Sequence, residues 1–149
     1  MKKLLMVLLA SLAIVSCEKE DELQTKNGKT NDFVIEVSQS GNLNDNYYFL
    51  FGHSVVQSQV TFVDPNGDSK KAGFFTNFED LPEGTYKFTT STDEHFLITY
   101  TPGMLNNNDT SVTWSLKVFK NGELIFEDGG ILKDETELKQ RIHNFNIEE

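Results

Sequence analysis

The chain has 149 residues, 38% of them hydrophobic, with 13 basic against 23 acidic side chains, three histidines and one cysteine. That length supports one modest core, so a single folded domain is expected. The balance of −10 repels phosphate backbones and argues against a nucleic-acid partner, and a lone cysteine excludes both an intrachain disulfide and a cysteine-ligated zinc site.

Met1-Lys2-Lys3 puts positive charge ahead of an apolar run from Leu4 to Val15, too short to cross a bilayer comfortably but of the right length for the core of a secretory signal. The run closes on Ile14-Val15-Ser16-Cys17. This tetrapeptide resembles the lipobox of bacterial lipoproteins. The resemblance implies that residues 1–16 are a signal peptide, that the chain is cut before Cys17, and that the Cys17 sulfur carries diacylglycerol through a thioether. One acyl chain binds a membrane only marginally, whereas the two or three of a mature lipoprotein hold firmly. Lipidation also removes the only thiol.

The next residues, Glu18-Lys19-Glu20-Asp21-Glu22, are similar to the export signal that Bacteroidetes lipoproteins carry just behind the lipidated cysteine. By that likeness Lys19, Glu20, Asp21 and Glu22 route the protein to the outer face of the outer membrane. Losing Lys2 and Lys3 with the signal leaves 11 basic residues against 23 acidic, a balance of −12. Residues 17–31 then form an acidic, flexible tether without helix or strand periodicity.

From Asp32 onward, short runs of period two, rich in β-branched and aromatic residues, predict strands. Phe33, Ile35 and Val37 share one face, as do Tyr47, Phe49 and Phe51, with Tyr48 and Leu50 opposite. Val56, Val60 and Phe62 form a third set, ending at Asp64-Pro65-Asn66-Gly67, where proline presets φ and Asn-Gly tolerates positive φ. Phe74, Thr76 and Phe78 are expected on one face of a fourth strand, Tyr86, Phe88 and Thr90 of a fifth, and Phe96, Ile98 and Tyr100 of a sixth. Val112, Trp114, Leu116 and Val118 alternate most clearly, with Trp114 expected in the core, and Asn121-Gly122 predicts a two-residue hairpin into Leu124, Ile125 and Phe126. At the C-terminal end, Asp134 and Glu137 read as a helix cap, yet His143, Phe145 and Ile147 alternate as a strand; a turn over 134–140 followed by a closing strand is the favoured expectation. The fold expected for 32–149 is all-β, a single antiparallel β-sandwich.

Leu81-Pro82-Glu83-Gly84-Thr85-Tyr86 resembles the L-P-x-G-x-Y turn of immunoglobulin-like and prealbumin-like sandwich domains. In those domains the glycine permits a tight turn and the tyrosine hydroxyl returns to the backbone. The whole plan of lipobox, tether and sandwich is also similar to small Bacteroidetes lipoproteins, including those encoded in conjugative transposons.

Local signatures of catalysis are missing: there is no G-x-S-x-G, H-E-x-x-H, P-loop or G-x-G-x-x-G, so the chain is not expected to be an enzyme and no cofactor is implied. Asp64 to Asp68 fails as a calcium loop, because the sixth and twelfth places counted from Asp64 hold Ser69 and Phe75. His53, His95 and His143 lack the spacing of local metal ligands and read as surface or strand-end residues; no metal site is expected. Glu79 and Asp80 would be glycosidase candidates only if the pair lay across a cleft. The 17 aromatic residues are many for so small a core, so some are expected to be exposed. Possible ligand contacts are Tyr47 or Tyr48, adjacent and so facing opposite ways, and Asn106, Asn107 and Asn108 in the loop between Pro102 and Ser111. Asp109-Thr110-Ser111 in that loop is similar to the Bacteroidetes O-glycosylation pattern.

The leading expectation is a lipid-anchored protein of the outer membrane, exposed at the cell surface, whose non-catalytic sandwich binds an extracellular protein or glycan or assists envelope assembly. The alternatives are a dedicated glycan-binding module and a hydrolase with a carboxylate pair.

Overall fold

A computed structural model describes residues 30–43, 47–55, 58–105, 111–133 and 139–145. Within them the chain forms ten strands: β1 (Asn31–Gly41), β2 (Tyr47–Val55), β3 (Thr61–Val63), β4 (Ser69–Lys71), β5 (Phe75–Asn77), β6 (Gly84–Thr92), β7 (Phe96–Met104), β8 (Val112–Lys120), β9 (Glu123–Leu132) and β10 (Arg141–Phe145). They make two antiparallel sheets, one ordered β4-β3-β6-β1-β8-β9 and the other β10-β7-β2-β5. The all-β sandwich expected from alternation is the observed architecture.

Alternation decides which face is buried. Phe33, Ile35 and Val37 of β1, Tyr86 and Phe88 of β6, and Val112, Trp114, Leu116 and Val118 of β8 are all within 3% of complete burial. They meet Tyr47, Phe49 and Phe51 of β2 and Phe96, Ile98 and Tyr100 of β7. Rings interlock across the gap at centroid separations of 4.6 Å for Phe51 and Phe88, 5.0 Å for Phe33 and Phe96, and 5.4 Å for Phe49 and Trp114. Offset and tilted aromatic pairs of this kind each add about 0.5–1.5 kcal/mol beyond the area they bury.

The turns follow their chemistry. Asn121 and Gly122 close the β8–β9 hairpin with φ of +53° and +85°, the combination a two-residue turn requires. The Asn121 side chain also accepts from Asp32 N at 2.9 Å, which stitches the hairpin tip to the start of β1. A one-residue bulge opposite Val118 and Phe119 leaves Ile125 without a partner, so Leu124 and Ile125 are both exposed. At the L-P-x-G-x-Y turn the Tyr86 hydroxyl donates to Pro82 O at 2.8 Å, as the resemblance implied. Gly84 has φ +149°, and a Cβ there would lie 2.5 Å from Pro65 Cγ, so the position requires glycine twice over.

One expectation is adjusted. The first described strand begins at Asn31, which is buried. Phe74 does not share an inward face with Thr76 and Phe78: β5 is a three-residue edge strand whose ladder with β2 stops at Phe75, so Phe74 lies beyond it and is exposed. The C-terminal segment resolves as strand over Arg141–Phe145, pairing with the outer edge of β7, while 134–138, Val56 and Ile147 lie outside the described residues.

One polar group joins the two sheets inside the core. Gln39 of β1 is 2% exposed, and its Nε2 donates to the carbonyls of Phe78, Leu81 and Pro82 at 2.9, 2.7 and 3.1 Å. Its Oε1 accepts from the Tyr47 hydroxyl of β2 at 3.0 Å. Gln39→Leu would leave these buried partners unsatisfied and is expected to cost about 2 kcal/mol in urea unfolding, against about 1 kcal/mol for Tyr47→Phe. Equal stability of wild type and Gln39→Leu would contradict the clasp.

Candidate functional site

Two of the places where the chain changes sheets lie side by side. After β2 it crosses to β3 through a segment ending in Ser58-Gln59-Val60, and after β4 it returns to β5 through Ala72-Gly73-Phe74. Ala72 N donates to Val60 O at 2.8 Å, bonding one crossing to the other. Between them and the end of β2 opens a cleft of about 390 Å³, walled by Val55, Val60, Ala72 and Phe74 and by the polar Ser58 and Gln59, with His53 and Lys71 as its ionisable members. That volume falls within the roughly 300–1,000 Å³ of small-molecule sites, and apolar walls with a few polar groups are their usual lining.

His53 follows the inward phase of Tyr47, Phe49 and Phe51 along β2 and is 9% exposed. Its ring lies 6.4 Å from that of Phe51 and 6.0 Å from that of Phe88, and Nε2 has no hydrogen-bond partner. Burial pushes its pKa below the ordinary histidine value, and a hydrogen bond to the Gly73 backbone opposes this with smaller effect. The expectation of a surface or strand-end histidine is thus corrected for His53. His95 is exposed in the turn before β7, and His143 in β10 is half-buried, its ring stacked on Tyr100.

Phe74, 75% exposed, lines the cleft, and its neighbour Phe75, 62% exposed, lies on the other face of β2; among the described residues these are the two exposed aromatic side chains. Phe75 leans on Gly52, where a Cβ would fall 2.6 Å from its ring carbons; glycine therefore lets the ring lie against the β2 backbone. Lys70 follows the same edge, its Nζ 5.2 Å over the Phe62 ring.

The other candidates are placed differently. Cys17, Lys19, Glu20, Asp21, Glu22, Asn106, Asn107 and Asn108 lie outside the described residues, as do Asp109 and Thr110. Tyr47 is completely buried, and burial raises its phenol pKa far above the usual range. It shares the inward phase of β2 and is a core residue, not a contact; Tyr48 faces the other way and is half-buried. Trp114 is in the core, as expected. Asp64 Oδ1 accepts from Asn66 N and Asp68 N at 2.9 and 3.0 Å, so its carboxylate is used by its own turn. Glu79 and Asp80 both accept from Asn77 Nδ2 at an exposed turn and do not line the cleft. Among the described residues no three His, Cys, Asp or Glu side chains converge.

A second ionisable cluster fastens the far side of the sandwich. The Tyr100 hydroxyl of β7 donates to Asp128 of β9 at 2.5 Å, Arg141 of β10 bonds the same carboxylate, and the guanidinium lies 5.6 Å from the Trp114 ring. Burial alone would raise the Asp128 pKa; the donors Tyr100, Arg141 and Gly129 N outweigh it and hold the carboxyl below its ordinary value. The cluster joins one sheet to the other and is internally satisfied.

Sequence reasoning missed His53 and the Phe74-Phe75 pair, although two signals were present. Counting the β2 alternation two residues further places His53 inside, and two successive phenylalanines cannot both face inward on a strand.

Because the folded pKa of His53 is lowered, its contribution to stability is intact above the unfolded value of about 6.5 and is lost as pH falls below it, at up to about 1.4 kcal/mol per pH unit until the folded pKa is reached. Urea unfolding of wild type at pH 7.5 and 5.5 is expected to show a larger loss than His53→Leu shows. Identical losses would mean that the imidazole is not held neutral.

No family model matches the chain, and no curated protein is significantly similar to it. Its fold resembles that of the calcium-bound form of a protein from Parabacteroides distasonis, with a TM-score of 0.55 and 19% identity over 78% of this chain and 95% of the other. A DUF4425 family protein from Bacteroides ovatus aligns with a TM-score of 0.50 and 15% identity over 80% and 95% of the two chains. A domain of unknown function, DUF4425, from Bacteroides vulgatus does so with 0.53 and 10% over 80% and 97%. At these identities the likeness is one of fold.

Proposed function

We propose that the protein is a lipoprotein anchored through Cys17 at the outer face of the outer membrane, whose sandwich is a non-catalytic module that captures an extracellular ligand in the corner cleft. The observation that carries the capture reading is the cleft itself: Val55, Val60 and Ala72 in its walls, the exposed Phe74 at its rim, and Ser58, Gln59, His53 and Lys71 as its polar members. Solvated phenylalanines at one corner of an otherwise closed aromatic core are costly unless something covers them. The lipobox and the acidic run behind it support the anchor and its placement, and the fold neighbours come from Bacteroides and Parabacteroides. Calcium is bound by the Parabacteroides neighbour; in this chain the acidic Asp64 loop is occupied by its own backbone donors.

Cys17→Ala is expected to release the protein from the membrane fraction or stall its processing, and unchanged fractionation would contradict the anchor. Alanines at Lys19 to Glu22 are expected to turn a protease-accessible protein into a protected one in intact cells. Capture has its own test. The anionic aromatic dye 8-anilinonaphthalene-1-sulfonate is expected to gain fluorescence with residues 17–149, and Ala72→Trp, which fills the cleft, to abolish that gain. A dye signal indifferent to the filled cleft would remove the capture reading while leaving the anchor untouched.

A further inference from the structure

We infer that the outward face of the four-stranded sheet is a self-association surface, on which a second copy of this chain packs about a two-fold axis running along the strands. Strand register decides what that face carries. Because Tyr47, Phe49 and Phe51 point inward, Tyr48, Leu50 and Gly52 point out, and Leu97, Thr99 and Thr101 of β7 stand beside them. Phe75 and Asn77 of β5 and Ile142 and Asn144 of β10 extend the face on either side, with Phe75 62% and Ile142 60% exposed. No side chain that points outward from these four strands is charged. The opposite face of the sandwich is the reverse: Lys87, Glu36, Lys117 and Glu127 stand side by side across four strands, with ion pairs at 2.8 and 3.2 Å.

Charge argues that the occupant is a second copy. In a chain whose balance is −10, two copies repel through most of their surface, and a charge-free face is where they approach without that opposition. The pattern on the face is also its own complement. Ile142, Thr99, Gly52 and Phe75 lie in one row, so an axis along the strands between β7 and β2 carries Phe75 of each copy over Ile142 of the other. The row of Thr101, Leu50 and Asn77 ends in opposite charges: Asn77 Nδ2 donates to Glu79 and Asp80 at one rim, and Lys139 borders Pro102 at the other. The same axis sets acid over lysine at both rims. Gly52 lets the Phe75 ring lie against the sheet, which keeps the centre flat. Four strands about 4.8 Å apart, spanning about seven residues at about 3.3 Å each, give roughly 450 Å² of plan area per copy. Two such faces remove on the order of 1,000 Å², the lower limit for a specific interface, so a weak dimer is expected. A lipid surface fits less well, because no lysine or arginine points out from this face to meet headgroups.

The test is sedimentation equilibrium of residues 17–149, with Cys17→Ser to keep the chain unacylated, from about 5 to 500 µM. The weight-average mass is expected to rise from the monomer toward twice that value. Phe75→Lys and Ile142→Lys, both at exposed positions, are each expected to raise the dissociation constant at least about tenfold. Charge exchange tests the axis. Asp80→Lys alone and Lys139→Glu alone each set like charges over one another and are expected to weaken association at least about threefold. Mixed in equal amounts, these two variants are expected to form a heterodimer within about twofold of wild-type affinity, a recovery that only an interface between copies gives. A wild type that stays monomeric to about 500 µM, lysines that leave the mass unchanged, or a mixture no tighter than its components would each overturn the inference. So would flotation of monomeric chain with phosphatidylcholine vesicles that Phe75→Lys abolishes, which would assign the face to a lipid surface. The face shares no residue with the corner cleft, so dimer and ligand capture stand or fall separately.

Discussion

Two sheets face each other because alternate residues of their central strands are aromatic or β-branched and must leave water together. Phe51 against Phe88, Phe33 against Phe96 and Phe49 against Trp114 interlock across the gap, and neither sheet can bury its half alone. This mutual burial requires the chain to pass from one sheet to the other, and every passage must satisfy backbone groups that are leaving a ladder. The corner cleft is a product of that requirement. Where the crossings between β2 and β3 and between β4 and β5 run side by side, Ala72 N and Val60 O bond to each other, and the side chains around them enclose space without filling it.

Among the described residues, buried side-chain nitrogens and oxygens are hydrogen-bonded with one exception. Gln39 serves three carbonyls and a tyrosine hydroxyl, and the Tyr100, Asp128 and Arg141 cluster closes the opposite side through its own hydrogen bonds. Both join the sheets. His53 differs, because its buried Nε2 has no hydrogen-bond partner. An unsatisfied buried polar atom works against folding, and His53 is one of the residues that line the corner cleft.

Exposure is distributed in the same economical way. Among the described residues the exposed aromatic side chains are the neighbours Phe74 and Phe75, and Phe74 lines the cleft with that histidine. The edge strand β5 is three residues long, and Gly52 on its neighbour lets the Phe75 ring lie close. A longer β5 would carry the alternation through residue 74 and turn that side chain inward or across the cleft. The short strand keeps the mouth open.

The sequence by itself determined the fold class and most of the core. Period-two alternation is a local property, so Phe33, Ile35 and Val37, or Val112 through Val118, declare their buried face before any partner is known, and Asn121-Gly122 and Leu81 to Tyr86 declare their turns through φ preference alone. Only the tertiary structure decided which strands pair. That placed β1 between β6 and β8, gave the last strand to the edge of β7, put Tyr47 rather than Tyr48 in the core, and brought His53, Lys71 and Phe74 to one cleft from separate segments. The physical reason is range. Turn and strand signals act over a few residues, whereas Gln39 meets residues 78–82 and His53 meets Gly73 across distances in sequence that no local pattern encodes.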